Sequence, residues 1–423
     1  MSARILSGQY FNLLSRGVVS SSALDPLYLP PGGPGLPGLA DGKQSKLLKF
    51  GTFAGGENVV VDGNLFQNSS FEQATGGIPT FWTPTGTVAQ VSSASQSGTY
   101  SCQLTGSGSS IAQITQLVES GDKVQVDCWA EITAGGVGAT VSFYLQNIYT
   151  KNWWNGSAWQ AGQVAFATVT AGTWTPALSQ VPVESFAACG GDVTALQLTA
   201  ALSGGTSPVA LVDDCYIYPA VDTCFIGGHS IDPGVNPVLK TAANAGAGAP
   251  TFSTTQLTLG NLQPSFYGIL GAPVYSRWWQ LSLPVANVAE AGIAELVLGL
   301  SKVLLQTQDY DWDIGPLHDM VDLAARSGEP YTYPYSVFER RLVTLLFTFA
   351  KGGLPAFAQV RDELDRRSKG KGMPLLLIPD DTDPAIAVLC RQTTKWKAKR
   401  TLNALWKGVS LAFEEVPFPG SGQ

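Results

Sequence analysis

Two β-like fragments of this chain stop short of each other, and what lies between them looks like a complete domain. Asn58-Val59-Val60-Val61-Asp62 ends abruptly, and Thr223-Cys224-Phe225-Ile226-Gly227-Gly228-His229 reads as the strand that would have followed it. The intervening stretch, Asn64 to Pro219, is a series of short alternating runs separated by Gly, Ser, Thr and Pro clusters. That pattern predicts a string of short strands and turns. A chain of 423 residues is also too long for one core. The insertion therefore fixes the domain plan: residues 1–62 with 221–300 as a discontinuous host, 63–220 as the insert, and 301–423 as a third unit.

Charge separates insert from host. Residues 63–219 carry two basic and nine acidic side chains, whereas the remainder is balanced at 23 of each. An acidic insert is a poor partner for nucleic acid. A charged fraction of 13%, with 47 Gly and 26 Pro, favours β layers joined by many turns over helical bundles. No apolar run is long enough to span a bilayer. The opening Met1 to Tyr10 lacks a sustained apolar run, so the expectation is a protein made without a Sec-type signal peptide. Cys102, Cys128, Cys189, Cys215, Cys224 and Cys390 form no CxxC pair or Cys/His cluster, which argues against zinc. They read as small buried hydrophobes, with pairing inside the insert geometrically open.

In the host fragments, Ser276-Arg277-Trp278-Trp279-Gln280-Leu281-Ser282-Leu283 alternates, with Trp279, Leu281 and Leu283 on one face. Together with the Val18–Ala23 strand, the Asp41-Gly42 turn and the strand ending at Gly299, this order resembles a discoidin-like (galactose-binding-like) β-sandwich. The "GGHS" and "RWWQL" stretches are similar to those of a family of tailed-bacteriophage virion proteins, which carry a "GHN"-type strand end and an "RYWRL"-type strand. Gln280 and Ser230 depart from that pattern.

The insert resembles the jelly-roll carbohydrate-binding modules attached to glycoside hydrolases. The likeness rests on "NLFQNSSFE" (Asn64–Glu72), Trp82, "SGTYSCQL" (Ser97–Leu104), Gln113 and Gln116, "KVQVDCWAEI" (Lys123–Ile132) and "VDDCYIY" (Val212–Tyr218). Sugar recognition needs exposed aromatic faces beside polar groups, because pyranose C–H edges pack on π-clouds. Tyr149, Trp153, Trp154 and Trp159, in the polar run Asn147–Trp159, are the candidates; packing on a neighbouring subunit or on the insert's own sheet is the other reading. Trp82 and Trp129 lie in apolar alternation and are expected in the core. The resemblance also implies a structural calcium held by Glu72 with Asp213 or Asp214, since hard carboxylate oxygens suit that ion. Solvated strand-end acids are the competing reading.

Beyond residue 300, Asp309–Asp313 is rejected as a calcium loop, because Ile314 stands where such a loop needs Gly. Phe338–Phe349 reads as a long strand, Leu354–Arg367 as an amphipathic helix stopped by Gly370 and Gly372, and Pro374–Ile378, Ala385–Gln392 and Val409–Val416 as strands. This order resembles the C-terminal part of the same phage family and the hub domains of tail-tip and distal-tail proteins. Lys395–Arg400 is a basic run for which a solvated loop or an acidic neighbouring subunit is expected.

His229 and His318 are expected to be structural. No GxSxG, HExxH or phosphate loop is present, and adjacent pairs such as Asp213/Asp214 are expected to point to opposite faces of a strand. The chain is therefore expected not to be an enzyme. The resulting expectation is a mainly β protein of two nested β-sandwiches, a discoidin-like host and a jelly-roll insert, followed by an α+β hub-like domain. Its role would be in a tailed-phage virion, at the tail tip or distal tail (baseplate), as a ring-like homo-oligomer for which a hexamer is the candidate. It would contact tube and hub proteins and host surface glycans. A capsid decoration or tail-fibre-associated protein, or a non-viral carbohydrate-binding protein, are the alternatives.

Overall fold

A computed structural model of the chain describes residues 57–229 without interruption. It also describes 4–7, 18–21, 48–50, 231–232, 234–242, 248–260, 265–283, 291–303, 313–317, 320–324, 330–334, 340–349, 364, 375–379, 381–383, 387–393, 399–400 and 406–415. The described residues are mainly strand. Among them no helix is long and apolar enough to cross a membrane.

The segment 63–219 forms a curled double sheet around one apolar core of Leu65, Phe71, Trp82, Leu104, Ile111, Val126, Phe143, Leu198 and their neighbours. Strand Ser101–Ile114 serves both layers. Its first part pairs with Val209–His229, and its last part pairs with Leu196–Ser203. The corner falls at Thr105-Gly106-Ser107-Gly108, where Gly106 and Gly108 have φ of +83° and +91°. Side-chain-bearing residues avoid that conformation. Opposite, Gly86 (φ +72°) sits in a bulge, and a Cβ there would come within 2.8 Å of Ser109 Oγ. Thr83–Val91 can therefore follow the bent strand along both halves.

The host is a second sandwich. One layer orders Val18–Ser21, Glu57–Asp62, Trp278–Leu283, Val238–Ala242 and Phe252–Thr258. The facing layer contains Leu48–Phe50, Ala291–Gly299, the second half of Val209–His229 and Ser265–Tyr275. Val59, Val61, Trp279 and Leu281 meet Val221, Cys224, Ile226 and Leu298 in the core between them. Glu57–Asp62 and Thr223–His229 are thus opposite walls of one sandwich rather than successive strands of one sheet.

Val209–His229 is continuous over 21 residues and crosses from the lobe into the host. Nothing along it after Val209 is exposed. In its second half Cys224 and Ile226 face the host core, while Phe225 points the other way, against Leu376, Ile378, Ala387 and Leu389. A strand covered on both faces reads as an unbroken apolar run, which explains why alternation fades here.

Leu376, Ile378 and Leu389 belong to a third sheet, which Ala387 adjoins, ordered Lys302–Val303, Arg4–Ser7, Leu375–Ile378, Val388–Gln392, Trp406–Glu415, Arg340–Phe349 and Asp313–Leu317. The expected strands after residue 338 are present. Arg4–Ser7 pairs with Leu375–Ile378, so the first strand joins this sheet and not the host sandwich to which the sequence reading gave residues 1–62. The expected helix Leu354–Arg367 lies outside the described residues, apart from a helical, buried Leu364. Of the basic run only Lys399–Arg400 is described, as a short strand on Trp406–Glu415. His318 also lies outside the described residues. His229 is buried, its Nδ1 accepting the Ile231 N–H at 3.3 Å.

Arg277 locks the crossing point. Its guanidinium donates Nε to Asp62 Oδ1 at 2.9 Å and Nη2 to Asp62 Oδ2 at 2.8 Å. It also lies 4.1 Å from the Tyr216 ring and 4.5 Å from that of Trp278. Asp62 precedes the lobe and Tyr216 lies near its end, so one side chain binds both connections. The pair is about nine-tenths buried. Removing one member would strand the other, at a cost of about 3–5 kcal/mol. Arg277→Ala should lower the melting temperature and open the chain near Gly63 to limited proteolysis, while Arg277→Lys, which keeps the charge without the fork, should restore only part of the loss.

Candidate functional site

The outer face of one lobe sheet carries the candidate site. Alternation decides what lies there. Ile111, Leu198, Ala200, Val141, Phe143, Leu145 and Trp154 point into the core. Their neighbours point out, and the strand register aligns them in rows. One row runs Ile114, Gln197, Gln146, Trp153 and Gln160 across five strands. The next runs Thr83, Ala112, Thr199 and Tyr144. Four strand spacings separate Thr83–Val91 from Trp153–Trp154, so the face is roughly 19 Å wide.

Aromatic rings close both ends. On one side Tyr144 and Trp153 meet edge to face, with centroids 6.1 Å apart. On the other, Phe81 is 60% exposed and sits at φ +68°, a conformation that costs a bulky residue energy. Its carbonyl is held by the Gln113 amide at 2.9 Å, and the other Gln113 bonds go to the Gln67 backbone. Between Phe81 and the centre lies a cavity of about 440 Å³ lined by Thr83, Ile114, Gln116 and Gln197 among others. Gln146 is braced by the Lys151 carbonyl at 3.3 Å. Every side chain in these rows is uncharged.

The four aromatics chosen from sequence do not form one platform. Trp153 is on the face. Trp154, one residue on, points the other way, is buried in the core and donates Nε1 to Ser179 Oγ at 2.9 Å. Trp159 pairs with Trp154 across a tight hairpin and packs on it at 5.7 Å, donating Nε1 to the Pro182 carbonyl. Tyr149 is 58% exposed in the turn beyond the sheet. That turn is organised by Asn147, whose Oδ1 accepts Tyr149 N–H and the Thr194 hydroxyl. Trp82 is buried on Phe66 and Phe71 as expected. Trp129 is half-buried on the opposite side of its strand from Cys128 rather than in the core. The sequence reading passed over Phe81, Tyr144, Gln146 and Gln197. Tyr144 and Gln146 were recoverable as the residues that alternate with the apolar Phe143 and Leu145.

Glu72, Asp213 and Asp214 all bond to the loop at residues 96–100. Asp213 Oδ2 accepts N–H from Gln96 and Ser97, and its Oδ1 accepts Asp214 N–H. Asp214 Oδ1 accepts the Ser97 and Tyr216 hydroxyls, and Glu72 Oε1 accepts Thr99 and Tyr100 N–H. Among the described residues no three His, Cys, Asp or Glu side chains close on a common point. Asp213, Asp214 Oδ1 and Glu72 Oε1 thus accept N–H and O–H bonds, and the three carboxylates that the sequence reading gave to calcium do not converge on one point in this arrangement. The two aspartates share one side because the strand bulges there: Asp127 pairs with Tyr216 but Trp129 pairs with Asp213, and Asp214 adopts φ +49°. That overturns the expectation of opposite faces.

Burial first, then repulsion from Asp214, pushes the Asp213 carboxyl up to about 8, and burial raises Asp214 as well. A carboxyl raised in the folded state contributes stability that is complete below its unfolded pKa, about 4, and lost as pH rises to about 8. The lobe should therefore melt at lower temperature at pH 8 than at pH 5. Asp213→Asn, which cannot ionise, should flatten that slope, and an unchanged slope in thermal melts would contradict it.

Residues 63–177 match the family described as Carbohydrate binding domain, CBM_4_9. No curated protein matches the chain significantly. Similar solved structures include the xylan-binding CBM22-1 domain of Paenibacillus barcinonensis Xyn10C. It is 20% identical, covers 36% of this chain and 91% of its own, and has a TM-score of 0.26. The C-terminal family 22 module of Clostridium thermocellum Xyn10B is 14% identical over 37% of this chain and 95% of its own, with a TM-score of 0.27. The enzymatically active domain of bacteriophage CBA120 tailspike protein 4 is 14% identical over 37% of this chain and 21% of its own, with a TM-score of 0.28.

Proposed function

We propose that the lobe binds a stretch of uncharged polysaccharide laid across the face from Phe81 to Trp153. The arrangement of that face carries the reading: aromatic rings at both ends, glutamine amides between them, and no charged side chain in the rows. Rings supply flat apolar surface for pyranose C–H groups, and amides can both donate to and accept from hydroxyls. A face roughly 19 Å wide suits a segment of several sugars better than a single terminal one. The carbohydrate-binding-domain match over 63–177 supports the same ligand class.

We further propose that the whole chain is a non-enzymatic structural protein of a tailed-phage virion, in a ring at the tail tip or distal tail. It would reach glycans on the host surface with its lobe. The resemblance of the flanking segments to phage virion proteins supports this, and so does the mounting: the lobe is stitched in at both ends with a buried clamp, not hung on a linker. Weak single-site binding would gain strength from several copies through effective concentration. Imaging of particles with a label on the lobe tests the placement. A ring around the tail axis is expected, whereas copies spread over the head would replace this reading with a decoration protein.

Binding of the full chain to neutral and uronate-bearing polysaccharides tests the site. Phe81→Ala or Trp153→Ala should each weaken binding to a neutral chain by about 10-fold or more, a loss of roughly 1.4 kcal/mol. Trp159→Ala should leave affinity within about 2-fold and lower the melting temperature instead, since its ring covers the core. Retained affinity in Phe81→Ala and Trp153→Ala together would refute the assignment.

A further inference from the structure

We infer that Cys128 and Cys215 are a latent cross-link that closes when the protein meets an oxidising medium. Across the bulge in Val209–His229 the register jumps from Asp127–Tyr216 to Trp129–Asp213, which leaves Cys128 facing Asp214 and Cys215. Bulge geometry turns Asp214 toward the carboxylate cluster, while Cys215 turns inward with its amide bonded to the Ser69 carbonyl instead of to Lys123–Ala134. Both thiols have no exposed surface, lie in the same core, and are within hydrogen-bonding reach of each other. Cys128 and Cys215 are both thiols in this structure.

Nothing in the site needs a thiol at either place. Two adjacent strands carrying facing thiols at an unpaired register position are positioned for a disulfide with little backbone movement. The strands concerned are those that matter mechanically: Lys123–Ala134 belongs to the lobe alone, whereas Val209–His229 continues into the host. The loop closed would span most of the lobe, and long loops gain most from closure. Cys102 also lies nearby in the same core and is the competing third thiol.

Burial raises both thiols, so neither is readily ionised while the lobe is closed. Reaction therefore waits on transient opening and favours a small neutral oxidant such as hydrogen peroxide. One thiolate attacks peroxide, giving a sulfenic acid and hydroxide. The second thiol then displaces water from the sulfenic sulfur, forming the S–S bond. In sum two thiols and one peroxide give one disulfide and two waters, with the two electrons passing to peroxide. The same bond would be absent in a reducing compartment.

The test uses the full chain in two arms: native protein treated with dilute hydrogen peroxide, and protein refolded in its presence. The product is read by non-reducing peptide mapping and thermal melting. The expected result is a peptide joining Cys128 to Cys215 in at least one arm, with a melting temperature raised by roughly 5–10 °C and restored by dithiothreitol. Cys102→Ser should retain the cross-linked peptide, whereas Cys128→Ser and Cys215→Ser should each lose it and the shift. Free or over-oxidised thiols in both arms, or a bond from Cys102 to either partner, would overturn the inference.

Discussion

The fold hangs on one strand that belongs to two bodies. Val209–His229 is the last strand of the lobe and an inner strand of the host, and it is covered along nearly its whole length. Its two halves cannot be repositioned independently without exposing apolar surface in three cores at once. Each core side chain lost to water would cost on the order of 2 kcal/mol. A hinge at the crossing is therefore expensive, and the Asp62–Arg277 pair with its two aromatic neighbours removes what freedom remains on the other connection.

Rigidity at the mount has a consequence for the proposed glycan face. A binding surface on a flexible tether searches space but contributes little orientation. A surface fixed to a larger body presents its rows at a set angle, which is what the proposed multi-copy engagement of a polymer-coated surface would need. The uncharged character of the face fits the acidic lobe around it. The nine carboxylates of 63–219 include Glu72, Asp213 and Asp214, which are spent on holding the 96–100 loop. The other acids keep the lobe's net charge negative without placing a charge in the rows.

Much of this was legible in the sequence where physics is local. Strand content followed from alternation and turn residues, whereas the two β runs read as an interrupted pair are opposite walls of one sandwich. The later strands from Arg340 onward were visible for the same reason. What failed were inferences that needed register. Asn147–Trp159 reads as a polar turn, yet Trp153 and Trp154 pair with Gln146 and Leu145 and so split between surface and core. Asp213 and Asp214 read as a strand pair with opposed side chains, and a single extra residue in the ladder placed them together. Arg4–Ser7 gives no local sign that its partner lies some 370 residues away, because sheet pairing at that separation leaves no periodicity behind. Phe81 escaped notice for a different reason. Its neighbour Trp82 is core, and only the left-handed backbone at Phe81 turns it outward.

Hydrogen exchange along Val209–His229 tests the central claim most directly. If one strand carries both bodies, amides from Tyr216 to Thr223 should exchange as slowly as those in the middle of either half, with a shared opening free energy. Fast exchange confined to the residues around Pro219, flanked by two slow segments with different opening energies, would show a hinge between independent units and contradict the account.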